Sequence, residues 1–335
     1  MCLNLLHCLC AVLLQMIGIN GGIMKQAAKI IKEVKKAVVG KDDVLIKVME
    51  VILAGGNILI EDIPGVGKTT MALAFSKAMQ LDCRRVQFTP DVMPSDITGF
   101  SMYNKATGKF EYKEGAGICN LLLADEINRT SSKTQSALLE LMEEHAVTVD
   151  GVTHRCPSPH IVIATQNHIG SAGALPLPES QMDRFTVRLT MGYPCAEDEM
   201  TMRRDRQGYN PLDYVEPVAS EYDIIEMKTE VENIYRNDEI FEYITSLVNA
   251  TRHNSYIKLG VSPRGSLAIS NMAAAHAFLH KRDYVIPQDV SSVFTDVCSH
   301  RIIMNPQARM SNISSDDVLK DILDAIPQPS LRSKK

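Results

Sequence analysis

Apolar residues recur at helical spacing from Lys25 to Val38, with lysines between them, and again from Val44 to Leu53, where Gly55-Gly56 ends the run. This spacing predicts two amphipathic helices. The pattern then changes. NILIED (57–62) is a short continuous apolar run, read as a buried strand, and it leads into the glycine-containing PGVG. TTMALAFSKAMQL returns to helical spacing. RRVQFT, from Arg84, reads as a second strand, and DVMPSDITG as a loop. FSMYNKATGKFEYKEG alternates on both sides of Thr107-Gly108 and predicts a hairpin. NLLLADE is a buried parallel strand ending in two acids. Ser132 is read as the cap of a helix over KTQSALLELMEEH. AVTVDGVTHRC predicts a second hairpin, with Asp150-Gly151 supplying the left-handed conformations of a tight turn. HIVIATQN and DRFTVRLTMG add two more strands.

Beyond Pro194 the texture is helical, from Ala196 to about Ile326, with a Pro-containing connector around Gln207 to Pro217. Strands alternating with helices, followed by helices alone, imply an α/β domain built on a parallel sheet and then a helical domain. The expected division is an apolar extension over 1–23, an α/β core over 24–195, connector helices over 196–232 and a helical domain over 233–332. The tail PQPSLRSKK is expected to be mobile.

Composition narrows the partners. The 335 residues carry a net charge of -5, and 45% are hydrophobic. With a pI near 6.0 there is no basic footprint for nucleic acid. Arg203, Arg204 and Arg206 read as a solvated helix face. Eight cysteines lack any C-x-x-C or disulfide spacing, and are read as reduced cytosolic thiols that serve packing. The apolar start, MCLNLLHCLCAVLLQMIGINGG, has neither the positive flank nor the cleavage site of a signal peptide, and is marginal as a membrane span. We read Met24 as the native start, which makes a membrane association expected only if residues 1–23 are native.

Candidate chemistry gathers at the ends of the predicted strands. In EDIPGVGKTT the strand–glycine loop–helix context is that of a phosphate-binding loop, although Asp62 stands where the usual first glycine belongs. Pro64 stiffens the entry. Gly65, Val66, Gly67 and Thr70 belong to the loop that offers backbone N–H groups and a helix N-terminus to phosphates. Lys68 would reach the β- and γ-phosphates of ATP, and Thr69 would hold Mg²⁺. Asp125 would also hold Mg²⁺, directly or through water, and Glu126 would orient and deprotonate an attacking water as general base. Asn167, ending VIATQN, could orient that water. Arg184 in LPLPESQMDRF follows two acids and precedes a strand, and by itself reads as a surface arginine; Arg264 in SPRGSLA is a candidate anion-facing cation. Arg264 sits in the first turn of a helix, where a cation is disfavoured by the dipole.

The order EDIPGVGKT, LLLADEINR, VIATQN, LPESQMDRF and SPRG resembles the AAA+ ATPases. QFTPDVMPSDITG, LLLADEINRTSSKTQSALLELMEE, LPLPESQMDRF and SPRGSLA are similar to the MoxR family within them. The likeness runs from about Lys25 to Asn305. It implies an AAA+ P-loop core followed by an all-helical lid. It also implies a ring, usually a homo-hexamer, with ATP at the subunit interfaces, Arg184 as an arginine finger and Arg264 as a second sensor. Arg129 is a further interface candidate. The implied activity is Mg²⁺-dependent ATP hydrolysis in the cytoplasm, coupled to chaperone-like assembly or activation of a protein client. A partner with a von Willebrand factor A domain is expected. A chelatase-type motor subunit and a nucleotide-gated scaffold remain alternatives; the acidic pI disfavours a nucleic-acid motor.

Overall fold

A computed structural model of the chain describes residues 22–63, 65–166, 177–205, 208 and 210–329. The chain begins there with helix α1 (22–35), followed by α2 (Asp42–Leu53), β1 (Ile58–Glu61), α3 (Lys68–Ala78) and β2 (Cys83–Gln87). A short helix α4 (Pro94–Thr98) leads into a hairpin of β3 (Phe100–Asn104) and β4 (Lys109–Lys113). Next come β5 (Leu121–Asp125), α5 (Ser132–Glu144) and a second hairpin, β6 (Ala146–Val149) with β7 (Val152–Arg155). β8 (Ile161–Gln166), α6 (Glu179–Met182) and β9 (Val187–Leu189) complete this half.

Five strands form one parallel sheet in the order β2-β5-β8-β1-β9. The two-residue period of each strand sorts its apolar residues onto opposite faces. Ile58 and Ile60, Leu121 and Leu123, and Ile161 and Ile163 join one core with α1, α2, α3 and the C-terminal helices. Leu59, Leu122, Ala124, Val162 and Ala164 join a second core with α4, α5 and Phe185. Burial on both faces is why these strands read as unbroken apolar runs rather than as alternation. The same parallel register brings the C-terminal ends of β5, β8 and β1 side by side, which is where an open α/β sheet binds ligands.

Both hairpins have their expected turn chemistry. Asp150 (φ 50°) and Gly151 (φ 78°) are both left-handed, as a two-residue turn requires, and Gly108 has φ 66°. The hairpins touch where Tyr112 stacks on His154, ring centroids 3.6 Å apart. The cap of α5 differs from expectation by one residue. Ser131, not Ser132, accepts the N–H of Thr134, because Ser131 is the last residue still extended (ψ 153°), as a cap must be.

The second half comprises α7 (Ala196–Asp205), α8 (Glu221–Glu232), α9 (Asp238–His253), α10 (Pro263–Leu279), α11 (Pro287–Cys298), α12 (Pro306–Met310) and α13 (Ser315–Ala325). It is helical, with one addition: β10 (Ile257–Leu259) and β11 (Ile303–Met304) pair antiparallel. Arg203 and Arg204 are exposed on α7. Cys119 and Cys298 are buried, and burial pushes both thiols up, Cys119 to about 12. These two are packing residues rather than nucleophiles. No helix among the described residues is long and apolar enough to cross a membrane.

Candidate nucleotide site

The glycine loop leaves β1 and enters α3 through two left-handed glycines, Gly65 (φ 86°) and Gly67 (φ 96°). A Cβ built on either glycine would meet open space. The requirement is therefore conformational: an L side chain at these φ values is strained. Gly67 is the N-cap of α3 and contributes no side-chain cap, so the first N–H groups of the helix stay available to an anion.

Lys68 is buried, and its Nζ donates to the carbonyl of Asp62 at 3.1 Å. Burial pushes its ammonium down from the ordinary lysine range; the charges of Asp62, Asp125 and Glu126 push it back up. A bound phosphate would act in the same sense as those carboxylates.

Asp62, the departure from the usual glycine, has a defined role. It is 2% exposed. Its Oδ1 accepts the N–H of Ile63 at 2.8 Å, and its Oδ2 accepts those of Met191 at 2.6 Å and Gly192 at 2.7 Å. The carboxylate thus ties the exit of β1 to the segment after β9. This role is met within the same chain.

Asp125 ends β5 and is buried. Its Oδ2 meets Nε of Arg85 at 2.7 Å, and its Oδ1 accepts from Oγ1 of Thr165 at 3.1 Å. The Thr165 hydroxyl also accepts the Glu126 N–H at 3.0 Å, so one side chain of β8 fixes both acids. Glu126 itself is left-handed (φ 58°, ψ 47°). That conformation costs a non-glycine residue of order 1–3 kcal/mol and is typical of residues held for function. It turns the chain sharply off the strand, and the Glu126 Oε2 pairs with Arg129 at 2.8 Å.

Gly65, Gly67, Lys68, Thr69 and Thr70 line one cleft of about 330 Å³ together with Asp125 and Glu126. Arg85, Gln87 and Thr165 share it and were not singled out from the sequence. Their signal is weak, because an Arg or Gln on a strand and a Thr before its end are common anywhere. Thr69 and Asp125 are an all-oxygen pair of a hydroxyl and a carboxylate on the same cleft, a donor set suited to Mg²⁺. An adjoining cavity of about 370 Å³ shares Gly65, Gly67, Thr70 and Met202 with the cleft and is walled by Ala37, Val38, Val39 and Tyr193. This mostly apolar chamber, continuous with a phosphate cradle, has the character of a base pocket. It too was missed, because its walls lie more than a hundred residues apart in sequence.

Pro64 and Asn167 lie outside the described residues. Arg184 and Arg264 lie elsewhere than the cleft. Arg184 Nε is 3.3 Å from Glu143 Oε2, and Arg264 Nη2 binds Glu143 Oε1. Two arginines 80 positions apart thus share one carboxylate at the end of α5.

A profile of the ATPase family associated with various cellular activities (AAA) matches residues 57–187, and that of the AAA lid domain matches 249–322. The uncharacterized protein YeaC of Bacillus subtilis is 45% identical, over 91% of this chain and 95% of its own length. Chaperone MoxR1 of Mycobacterium tuberculosis is 37% identical, over 90% of this chain and 82% of its own. Among solved structures, a candidate ATPase from Cytophaga hutchinsonii superposes with a TM-score of 0.88 at 36% identity, covering 95% of this chain and 99% of that one. With the parallel sheet, the glycine loop and acid pair at its strand ends, and a helical lid beyond, these similarities establish that the chain belongs to the MoxR family of AAA+ ATPases.

Proposed function

We propose that this protein is a Mg²⁺-dependent ATPase that works as a ring of like subunits and uses hydrolysis to remodel, assemble or activate a protein client. The observation that carries the reading is the cleft in which the glycine loop, Lys68 and Thr69 face Asp125 and Glu126. Gly65, Gly67 and the start of α3 would cradle the phosphates, and Lys68 would meet the β- and γ-oxygens. Thr69 and Asp125 would hold the metal, whose chemistry is to neutralise charge on the β- and γ-phosphates. Glu126, held rigid by Thr165, would orient the attacking water and take its proton as the O–P bond forms. The base would sit against Val38, Val39 and Tyr193.

Arg184 and Arg264 fit a role on a neighbour's nucleotide. Each is engaged by Glu143, a carboxylate standing where an anion is accommodated, and neither lines the cleft of its own chain. A head-to-tail ring, six-membered as the family resemblance implies, would bring such a pair to the next subunit's γ-phosphate. The chaperone role rests on the name of the M. tuberculosis relative, and a partner with a von Willebrand factor A domain on the family resemblance.

Steady-state phosphate release measured against subunit concentration tests the reading. Specific activity should rise as subunits associate, and Glu126→Gln should lower turnover by about 10²–10⁴-fold while nucleotide stays bound. Wild-type turnover in Glu126→Gln would remove the general base assigned here. Activity independent of concentration down to the monomer would remove the shared site.

A further inference from the structure

Arg301 follows the end of α11, and its side chain is 2% exposed. Apart from Val297 and the adjacent His300, whose Nε2 lies 3.0 Å from Nη1, its side-chain partners cluster on a single short segment, 183–186. Nε donates to Oδ1 of Asp183 at 3.0 Å. Nη2 donates to the carbonyls of Asp183 at 3.2 Å and Phe185 at 2.5 Å. Nη1 donates to the carbonyl of Thr186 at 2.9 Å and also to that of Val297. The guanidinium therefore grips the backbone immediately before and after Arg184, while Arg184 itself is left to face Glu143.

The other side of Arg301 lies against the helix that carries Arg264. A Cβ on Gly265 would stand 2.9 Å from Arg301 Cδ and 2.5 Å from Val261 Cγ1, so the side chain passes where only glycine leaves room. The Asp183 carboxylate that meets Arg301 also takes the hydroxyl of Ser262, at 3.0 Å to each oxygen. Ser262 caps α10, accepting the N–H of Gly265 at 3.1 Å. One buried cation thus connects the Arg184 segment to the first turn of the Arg264 helix.

We infer that Arg301 is a positioning residue that fixes Arg184, and with it Arg264, for action on a neighbouring subunit's nucleotide. The inference rests on the proposed role of Arg184. Its physical basis is the planar fork. Five N–H donors in fixed directions can satisfy several carbonyls and a carboxylate at once, and a lysine ammonium cannot. The Asp183 and Thr186 carbonyls would otherwise lose this donor at a segment with little regular structure, while that of Phe185 also meets Nε2 of His300 at 3.0 Å. Rigid placement matters because a misplacement of about 1 Å can cost about 100-fold in rate.

The test is Arg301→Lys in the full-length protein, assayed alone and mixed with Lys68→Ala. Alone, kcat should fall by about 10- to 100-fold, with KM for ATP and nucleotide affinity within about two-fold of wild type. Mixed with Lys68→Ala, activity should recover, since an intact Arg184 from the Lys68→Ala subunit then faces an intact nucleotide cleft. A subunit that failed to fold would not join the ring and would give no recovery. Wild-type kcat in Arg301→Lys, a parallel loss of nucleotide affinity, or no recovery on mixing would each overturn the inference. The mixture of Arg184→Ala with Lys68→Ala is the control. If it recovers and the Arg301→Lys mixture does not, Arg301 is wrongly assigned. If neither recovers, the neighbour-acting role of Arg184 fails and the inference falls with it.

Discussion

Asp62→Gly would restore the full glycine pattern of the phosphate loop, yet it is expected to damage the protein. The wild-type carboxylate is buried and accepts three backbone N–H groups at 2.6–2.8 Å. The Ile63 N–H is local and near the surface of the loop, so water can replace that bond at small cost. Those of Met191 and Gly192 belong to another segment and lose a charged acceptor, at about 1.5–3 kcal/mol each. Glycine adds about 0.5–1 kcal/mol of chain entropy in the unfolded state. The expected destabilisation is therefore about 3.5–7 kcal/mol, which in a chain of this size lowers Tm by roughly 5–10 °C. Thermal melts of the nucleotide-free protein, followed by circular dichroism, measure it. A fluorescent nucleotide titration at low temperature gives the second readout, and affinity should be unchanged or weaker. If Asp62→Gly melts with wild type and binds ATP more tightly, the acid is a defect of the loop rather than its anchor, and the reasoning fails.

Two further outcomes follow from charges elsewhere. Glu143→Gln removes the carboxylate shared by Arg184 and Arg264. Both arginines are part-exposed, so about 1 kcal/mol or less is at stake, and hydrolysis at limiting subunit concentration should rise about two- to five-fold; an unchanged or lower rate would show that Glu143 does not compete for them. His160 gives a pH signature. Burial, and the positive charge His145 would carry, hold it down at about 4, against about 6.5 in an unfolded chain. Between those values the unfolded state binds the extra proton, so stability should be full above about pH 6.5 and decline as pH falls toward 4, by up to about 3 kcal/mol from this group. Urea melts across that range should show a shallower decline in His160→Gln, and an identical slope would remove His160 from the account.

Much of this molecule is legible along the chain because its chemistry is local. The glycine loop, the acid pair and the Asp150-Gly151 turn each need a particular residue at a particular backbone conformation, so a short window reveals them. The central strands β1, β5 and β8 are equally plain, since burial on both faces leaves continuous apolar runs. The β10–β11 ladder is invisible by contrast: three residues against two give no alternation to detect. Arg85 and Thr165 escaped notice because their value comes from strand register. The pairing of β2 with β5 and of β5 with β8 sets both beside Asp125, and no spacing in the sequence encodes that.

The two arginines mark the sharper limit. Arg264 drew attention because a cation in the first turn of a helix opposes the dipole and needs an anion. That argument identifies the need and not the partner. Glu143 reads as one more exposed acid in an amphipathic helix, and only the approach of α10 and the Arg184 segment to the end of α5 makes it the shared counterion. Because that carboxylate is part-exposed, with its side chain at 38% accessibility, the pairing is weak enough to exchange for a stronger anion. A phosphate carries more charge than a carboxylate and matches the guanidinium fork as well. The placement is held strongly by Arg301 and the counterion weakly by Glu143, the combination expected of cations kept in position for a ligand that comes and goes.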